Sequence, residues 1–197
     1  MIYDTLTLHE KYKKYSNINQ KIALEAKKGS LTRIKNGLYS DNVQLDAPLL
    51  ANICQSPSYL SFEWALYIYG LIPEFVSVYT SAVFGKKNNR SYSCKEAVFE
   101  YLSIPDKAFP YGVIYRKNED GIRYKIATKE KALLDIIYTK YPVRSIKDIK
   151  TMLFEDLRID EEEFFKMDYD FIRSVGPLYH SNSINSLIKY IDEERKI

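Results

Sequence analysis

Apolar residues recur every four positions from Ile18 through Ile22 to Ala26, the spacing of one buried stripe along a helix. Ser16 and Asn17 can both cap that helix, and Asn17 has Gln20 three residues on, a capping-box spacing. Gly29 follows Lys27 and Lys28, the chemistry of a helix C-terminus. Upstream, Thr7 to Tyr15 reads as a first helix with Leu8 and Tyr12 on one face. Downstream, the period changes to two in SLTRIKNGLYS. Asn36-Gly37 is the strongest short hairpin signal, because both central residues of that turn need positive φ. The flanking strands then carry Arg33 and Lys35 on one face and Ile34 on the other.

Beyond a polar, turn-prone SDNVQLD the pattern mixes helices and strands. Asp46 to Gln55 reads as a connecting helix, and a second helix runs from an N-cap at Ser61 to Gly70. Phe75 to Phe84 is rich in β-branched and aromatic residues and reads as a strand; KKNNR turns it, and SYSC begins a return strand. Val98 to Ile104, Tyr111 to Lys117 and Ile122 to Ala127 are further strands, the last two joined by NEDG. Thr128 caps KEKALLDIIYTK, whose apolar face is Ala132, Leu133, Ile136 and Ile137. After Pro142 the chain is mostly helical, with Ser145, Asp160 and Ser183 each preceding a helical pattern. The last helix sets Ile184, Leu187, Ile188 and Ile191 on one side. The expected class is α+β: a head over residues 1–42 and a body over 43–197 with antiparallel strands and a helical tail.

Charge sharpens that division. Residues 1–42 hold eight Lys or Arg against four Asp or Glu, while the remainder holds 21 against 22. The positive charge is thus a basic head on a near-neutral body, the distribution of a chain whose N-terminus meets a polyanion. A helix followed by a cationic hairpin is the layout of a winged helix-turn-helix. In the DNA major groove such a helix presents its first turns to base edges. Here those residues are Ser16, Asn17, Asn19, Gln20 and Lys21; Asn and Gln pair with adenine, and Lys reaches guanine. Lys13, Lys14, Arg33 and Lys35 are expected nearer the phosphates. The competing reading of the same residues is the solvated face of a small helical domain.

Other chemistry is sparse. His9 and His180 are isolated from each other and from Cys54 and Cys94, so no metal-ligand spacing exists. Neither a glycine-rich phosphate loop nor a nucleophile elbow occurs. Glu119 and Asp120 belong to a turn, Glu130 to the first turn of a helix, and Asp135 is expected to be a buried partner of an arginine or backbone group. No catalytic set, metal or cofactor is expected, and the chain is read as a non-enzyme. Lys86, Lys87 and Arg90 form a basic hairpin tip that serves either as a partner surface or only as a solvated loop. The N-terminus has no apolar run of signal-peptide length, and the most apolar window, Phe62 to Phe84, is broken by Glu63, Pro73 and Glu74. With only two cysteines, a reduced, soluble, cytoplasmic chain is expected.

Several segments, taken in order, resemble one family. LTLHEKYKKYSN followed by KIALEAKKGSLTRIKNGLY resembles the winged-helix head of the AbiEi-type antitoxins of type IV toxin–antitoxin pairs. PSYLSFEWALYIYGLIPE and YTSAVFGKKNNRSY look like that family's helix-to-strand segment and basic hairpin, and IATKEKALLDIIY is similar to its capped helix. Lys129 stands where the family pattern has proline, Trp64 where it has a small or polar residue, and residues 142–197 carry no family motif. The resemblance implies a head that binds inverted repeats in its own promoter, as a homodimer or cooperative pair, and represses the operon. It implies a body that counteracts a nucleotidyltransferase-like toxin, directly or indirectly. Two alternatives stand beside it. One is a winged-helix regulator whose body senses a ligand or mediates assembly, with no toxin partner. The other is a nucleic-acid-modifying enzyme that depends on Glu130 or Asp135.

Overall fold

The computed structural model describes residues 1–41, 46–85, 89–94, 97–143 and 145–194. The head consists of β1 (Ile2–Asp4), α1 (Thr5–Lys11), α2 (Ile18–Lys27), β2 (Thr32–Lys35) and β3 (Leu38–Ser40). Asp4 caps α1 by accepting the Thr7 N–H at 2.7 Å, and Asn17 caps α2 by accepting the Gln20 N–H at 3.0 Å. Gly37 turns the β2–β3 hairpin at φ +79°, but Asn36 is not in the positive-φ region, so only one of the two central residues takes the expected conformation and the hairpin carries a bulge between Arg33 and Lys35. β3 lies between β1 and β2, antiparallel to both. Tyr3, Leu8, Ile22 and Leu31 close a small core between helices and sheet. Two details differ from the sequence reading. β1 is a strand of three residues, too short for alternation to be visible, and α1 ends at Lys11 so that residues 12–15 form a turn.

The body is built on a six-stranded sheet of β4 (Ser58–Leu60), β5 (Val78–Val83), β6 (Arg90–Cys94), β7 (Ala97–Ser103), β8 (Val113–Lys117) and β9 (Arg123–Ala127). The strand order is β6-β7-β5-β4-β9-β8. The edge strands β6 and β8 run antiparallel to their neighbours, and β4 is antiparallel to β5. β5–β7 and β4–β9 are parallel, so the sheet is mixed rather than antiparallel throughout. The expected β5–β6 hairpin is also replaced: β6 pairs with β7, which lies between them. Burial explains the swap. β7 carries Phe99 and Tyr101, both inaccessible, whereas β6 is mostly solvent-facing and suits an edge.

Three helices cover the sheet: α3 (Ala47–Cys54), α4 (Phe62–Ile68) and α5 (Lys129–Lys140). Asn52 of α3 exchanges two hydrogen bonds with the backbone of Lys125, the residue before the parallel bridge between Leu60 of β4 and Ile126 of β9. The tail is α6 (Ile146–Thr151), a π-helical turn at Met152–Asp156, α7 (Glu161–Phe165), α8 (Tyr169–Val175), a 3₁₀ turn at Gly176–Tyr179 and α9 (Asn182–Glu194). Thr128, Ser145 and Asp160 cap α5, α6 and α7 as their spacing foretells. Ser183 does not cap α9. It lies inside the helix and its Oγ accepts the Val143 N–H at 2.8 Å.

Gly112, just before β8, lies close against the tail and α5. It sits at φ +65°, and a Cβ there would fall 2.6 Å from Phe171 Cζ and 2.8 Å from Lys131 Cβ. Gly112→Ala is therefore expected to lower stability by about 1–3 kcal/mol through overpacking and backbone strain. A urea midpoint equal to that of the parent protein would show that the tail yields without cost.

The head is docked on the body through its hairpin. Ile34 is buried within the body's core, not the head's. The Lys35 ammonium donates to the Cys54 carbonyl at the end of α3 and lies 5.3 Å from the centre of the Tyr92 ring on β6. The Cys94 thiol donates to the Arg33 carbonyl at 3.7 Å. The turn-prone stretch taken as the boundary includes residues 42–45, which lie outside the described residues.

Candidate nucleic-acid interface

A cleft of about 430 Å³ opens between α2 and the β2–β3 hairpin. Asn19, Ala23 and Ala26 line it from the helix, and Arg33 and Tyr39 from the strands. Two of the residues singled out by sequence, Asn19 and Arg33, are thereby brought to one opening. Arg33 is exposed, with Nη2 donating to the Asn36 side chain at 3.0 Å across the turn. Asn19 Oδ1 lies 3.0 Å from His9 Nε2, which ties the start of α2 to α1. Gln20 is exposed next to it, and its side-chain amide has no partner among the described residues.

The other candidates divide by what already holds them. Asn17 is exposed, but its side-chain oxygen is occupied by the cap; Ser16 and Lys14 are exposed. Lys13 is paired with Glu10 one turn earlier. Lys21 differs most from its expected role at base edges. Its ammonium pairs with Glu25 at 2.7 Å and lies 4.7 Å from the centre of the Tyr15 ring, with only 19 % of the side chain exposed. The hydrogen bond to Glu25 raises the lysine pKa, and the same bond, with a second from Ser30, lowers that of Glu25. Lys35 does not share the outward face of Arg33. A bulge between the two residues shifts the register, and the Lys35 ammonium turns to the Cys54 carbonyl.

Two further cations, expected from the sequence only as helix C-terminal residues, join these candidates. Lys27 and Lys28 are exposed at the C-terminal end of α2 with no ion-pair partner among the described residues. Lys27 follows Asn19 and Ala23 at intervals of four, so helical spacing places it on the cleft side. That periodicity was legible, but the same lysines also satisfy the helix dipole. In the body, Arg90 is exposed at the start of the edge strand β6, while Lys86 and Lys87 lie outside the described residues.

The two carboxylates that an enzyme reading would use are both held by structural bonds. Glu130 accepts the Asp168 N–H at 3.1 Å, joining α5 to the start of α8. Asp135 is inaccessible to solvent, and its partner is a lysine rather than an arginine. Its Oδ1 accepts from Tyr179 at 2.5 Å and from Lys131 at 3.1 Å; its Oδ2 accepts from Ser61 at 2.6 Å and Tyr59 at 3.0 Å. Ser61 stands at the N-cap position of α4 yet makes no cap bond, because its hydroxyl is turned to Asp135. Burial lowers the Lys131 pKa against the pull of Asp135, and burial holds the Tyr59 and Tyr179 hydroxyls protonated far above their ordinary range. Among the described residues no group of three or more His, Cys, Asp or Glu side chains is placed to hold a metal ion. Among them, too, no helix is long and apolar enough to cross a membrane. No protein-family model matches the chain, and no curated protein matches it.

Proposed function

We propose that the chain is a DNA-binding repressor of the AbiEi antitoxin type, with a winged helix-turn-helix head that reads its own promoter. The observation that carries this reading is the cleft that joins Asn19 of α2 to Arg33 of the hairpin. Gln20 and Lys27 on α2 and Lys28 at its end are exposed, as is Lys14 in the turn before α2; they supply one base-reading amide and three cations with no ion-pair partner among the described residues. α2 would enter the major groove with Asn19 and Gln20 toward base edges, while Arg33 and the three lysines meet phosphates on either side. Lys21 and Lys35, held by Glu25 and Cys54, shape the surface instead of contacting the duplex. The antitoxin half of the proposal rests on the ordered resemblance of the body segments. Counteraction of a nucleotidyltransferase-like toxin, in the cytoplasm, is what that resemblance implies.

The test is binding of the purified chain to its own upstream DNA and to a scrambled duplex across a salt series, followed by rescue of cells expressing the adjacent toxin. Tight, salt-sensitive and sequence-selective binding is expected. Gln20→Ala is expected to cost about 1–3 kcal/mol of discrimination between the two duplexes while leaving the salt slope unchanged. Equal affinity for both duplexes would reduce the head to a basic patch, and failure to rescue would remove the antitoxin half.

A further inference from the structure

The β8–β9 hairpin lies at the opposite end of the sheet from β6, against which the head's β2 is packed. Its register sets Tyr115 opposite Lys125 and Lys117 opposite Arg123. Directly opposed residues share a face, so these four side chains stand together. The other face carries Tyr124 and Ile126 into the core. On the outer face Tyr115 is 68 % exposed, and the Lys125 ammonium lies 5.9 Å from the centre of its ring. Lys117 and Arg123 are exposed, and none of the three cations has an ion-pair partner among the described residues.

Nothing in the fold requires this arrangement. Like charges directly opposite one another weaken a strand pair, and Lys117 faces Arg123. A lysine on the edge strand β8 serves to discourage edge-to-edge aggregation. That argument does not reach Arg123 and Lys125, because β9 is an inner strand between β4 and β8. Three unpaired cations call for phosphate-like charge, and a flat exposed ring beside them calls for a planar partner. A duplex keeps its bases stacked inside and offers a sheet face only phosphates. An acidic protein surface answers the cations and leaves the ring unused. A single strand offers both phosphates and unstacked bases.

We propose that the outer face of the β8–β9 hairpin binds single-stranded nucleic acid, with a base on Tyr115 and the backbone along Lys117, Arg123 and Lys125. The site is separate from the head and does not depend on the duplex reading. It is tested by fluorescence anisotropy on the full chain with Lys14, Lys27, Lys28 and Arg33 changed to alanine, which removes the phosphate contacts proposed for the head, using labelled oligo(U), oligo(dT), a short blunt duplex of unrelated sequence and a polyglutamate peptide. Both single strands are expected to bind more tightly than duplex or polyglutamate, and tighter binding of oligo(U) than of oligo(dT) would identify RNA as the source. Tyr115→Leu is expected to weaken single-strand binding about tenfold, as loss of one base–aromatic stack does, with an unchanged urea midpoint. Lys117→Gln with Arg123→Gln in the same background is expected to weaken it and flatten its salt dependence. The proposal is overturned if neither single strand binds, if duplex or polyglutamate binds as well, or if Tyr115→Leu changes affinity by less than about twofold.

Discussion

Asp135→Ala is expected to lower the stability of the whole chain by about 3–5 kcal/mol, the usual cost of removing one member of a buried ion pair. Asp135 and Lys131 are both fully inaccessible, so the substitution leaves an ammonium in the core with no counter-charge. Three hydroxyls also lose their acceptor: Tyr59 of β4, Ser61 before α4 and Tyr179 of the tail. Because those groups come from three parts of the chain, the loss spreads across sheet, helix layer and tail together. Trp64, the single tryptophan and 5 % exposed, reports unfolding in urea. The double change Asp135→Leu with Lys131→Met is expected to recover part of the loss, since a buried pair is often replaceable by apolar groups of similar size. An Asp135→Ala midpoint equal to that of the parent protein would show that the carboxylate is not the required counter-charge.

The same site fixes a sign for pH. Lys131 has a folded-state pKa below its ordinary 10.5 because burial disfavours the charged form, and loss of Asp135 removes the group opposing that shift. Between the depressed value and 10.5 the unfolded chain binds more protons at this position than the folded one. Stability of Asp135→Ala therefore rises with pH through that window. Near the top of the window ionisation of the unfolded tyrosines works in the opposite direction, because Tyr59 and Tyr179 stay protonated in the fold.

Local chemistry was legible in the sequence. The caps at Asn17, Thr128, Ser145 and Asp160 need only a side-chain oxygen three residues before an N–H, and each stands where its spacing placed it. The hairpin at Asn36-Gly37 is equally local. Bonds between distant segments were not legible. Ser61 and Ser183 have the same local pattern as true caps, but their hydroxyls bond to Asp135 and to the Val143 backbone. β4 is too short to show a period, and the placing of β7 between β5 and β6 follows the burial of Phe99 and Tyr101 on β7 against the mostly exposed β6. For the candidate interface, the pairing of Lys21 with Glu25 was readable as residues four apart on a helix. The diversion of Lys35 to Cys54, nineteen residues on, was not. A basic head seen as a string counts charges, whereas the structure shows which of them are still free.

That distinction sets the second large effect. Replacing Lys14, Lys27, Lys28 and Arg33 together by alanine is expected to remove most of the affinity of the head for any duplex. Each phosphate neutralised contributes about −0.9 to the slope of log K against log salt. Four lost contacts therefore flatten the slope by about 3.6, which near 0.1 M salt corresponds to roughly tenfold in affinity per contact. The loss should be equal for the cognate and the scrambled duplex, because phosphate contacts carry no sequence information. Lys21→Ala, by contrast, frees Glu25 and unseats Tyr15 without releasing a counterion from DNA, so it should leave the slope where it was. A slope that drops for Lys21→Ala and not for the fourfold variant would place the duplex against Lys21 and Tyr15, away from the cleft and from all four of those cations. If Arg33→Ala alone altered base preference and spared the slope, the hairpin would be reading bases, and α2 would be the element lying along the phosphates.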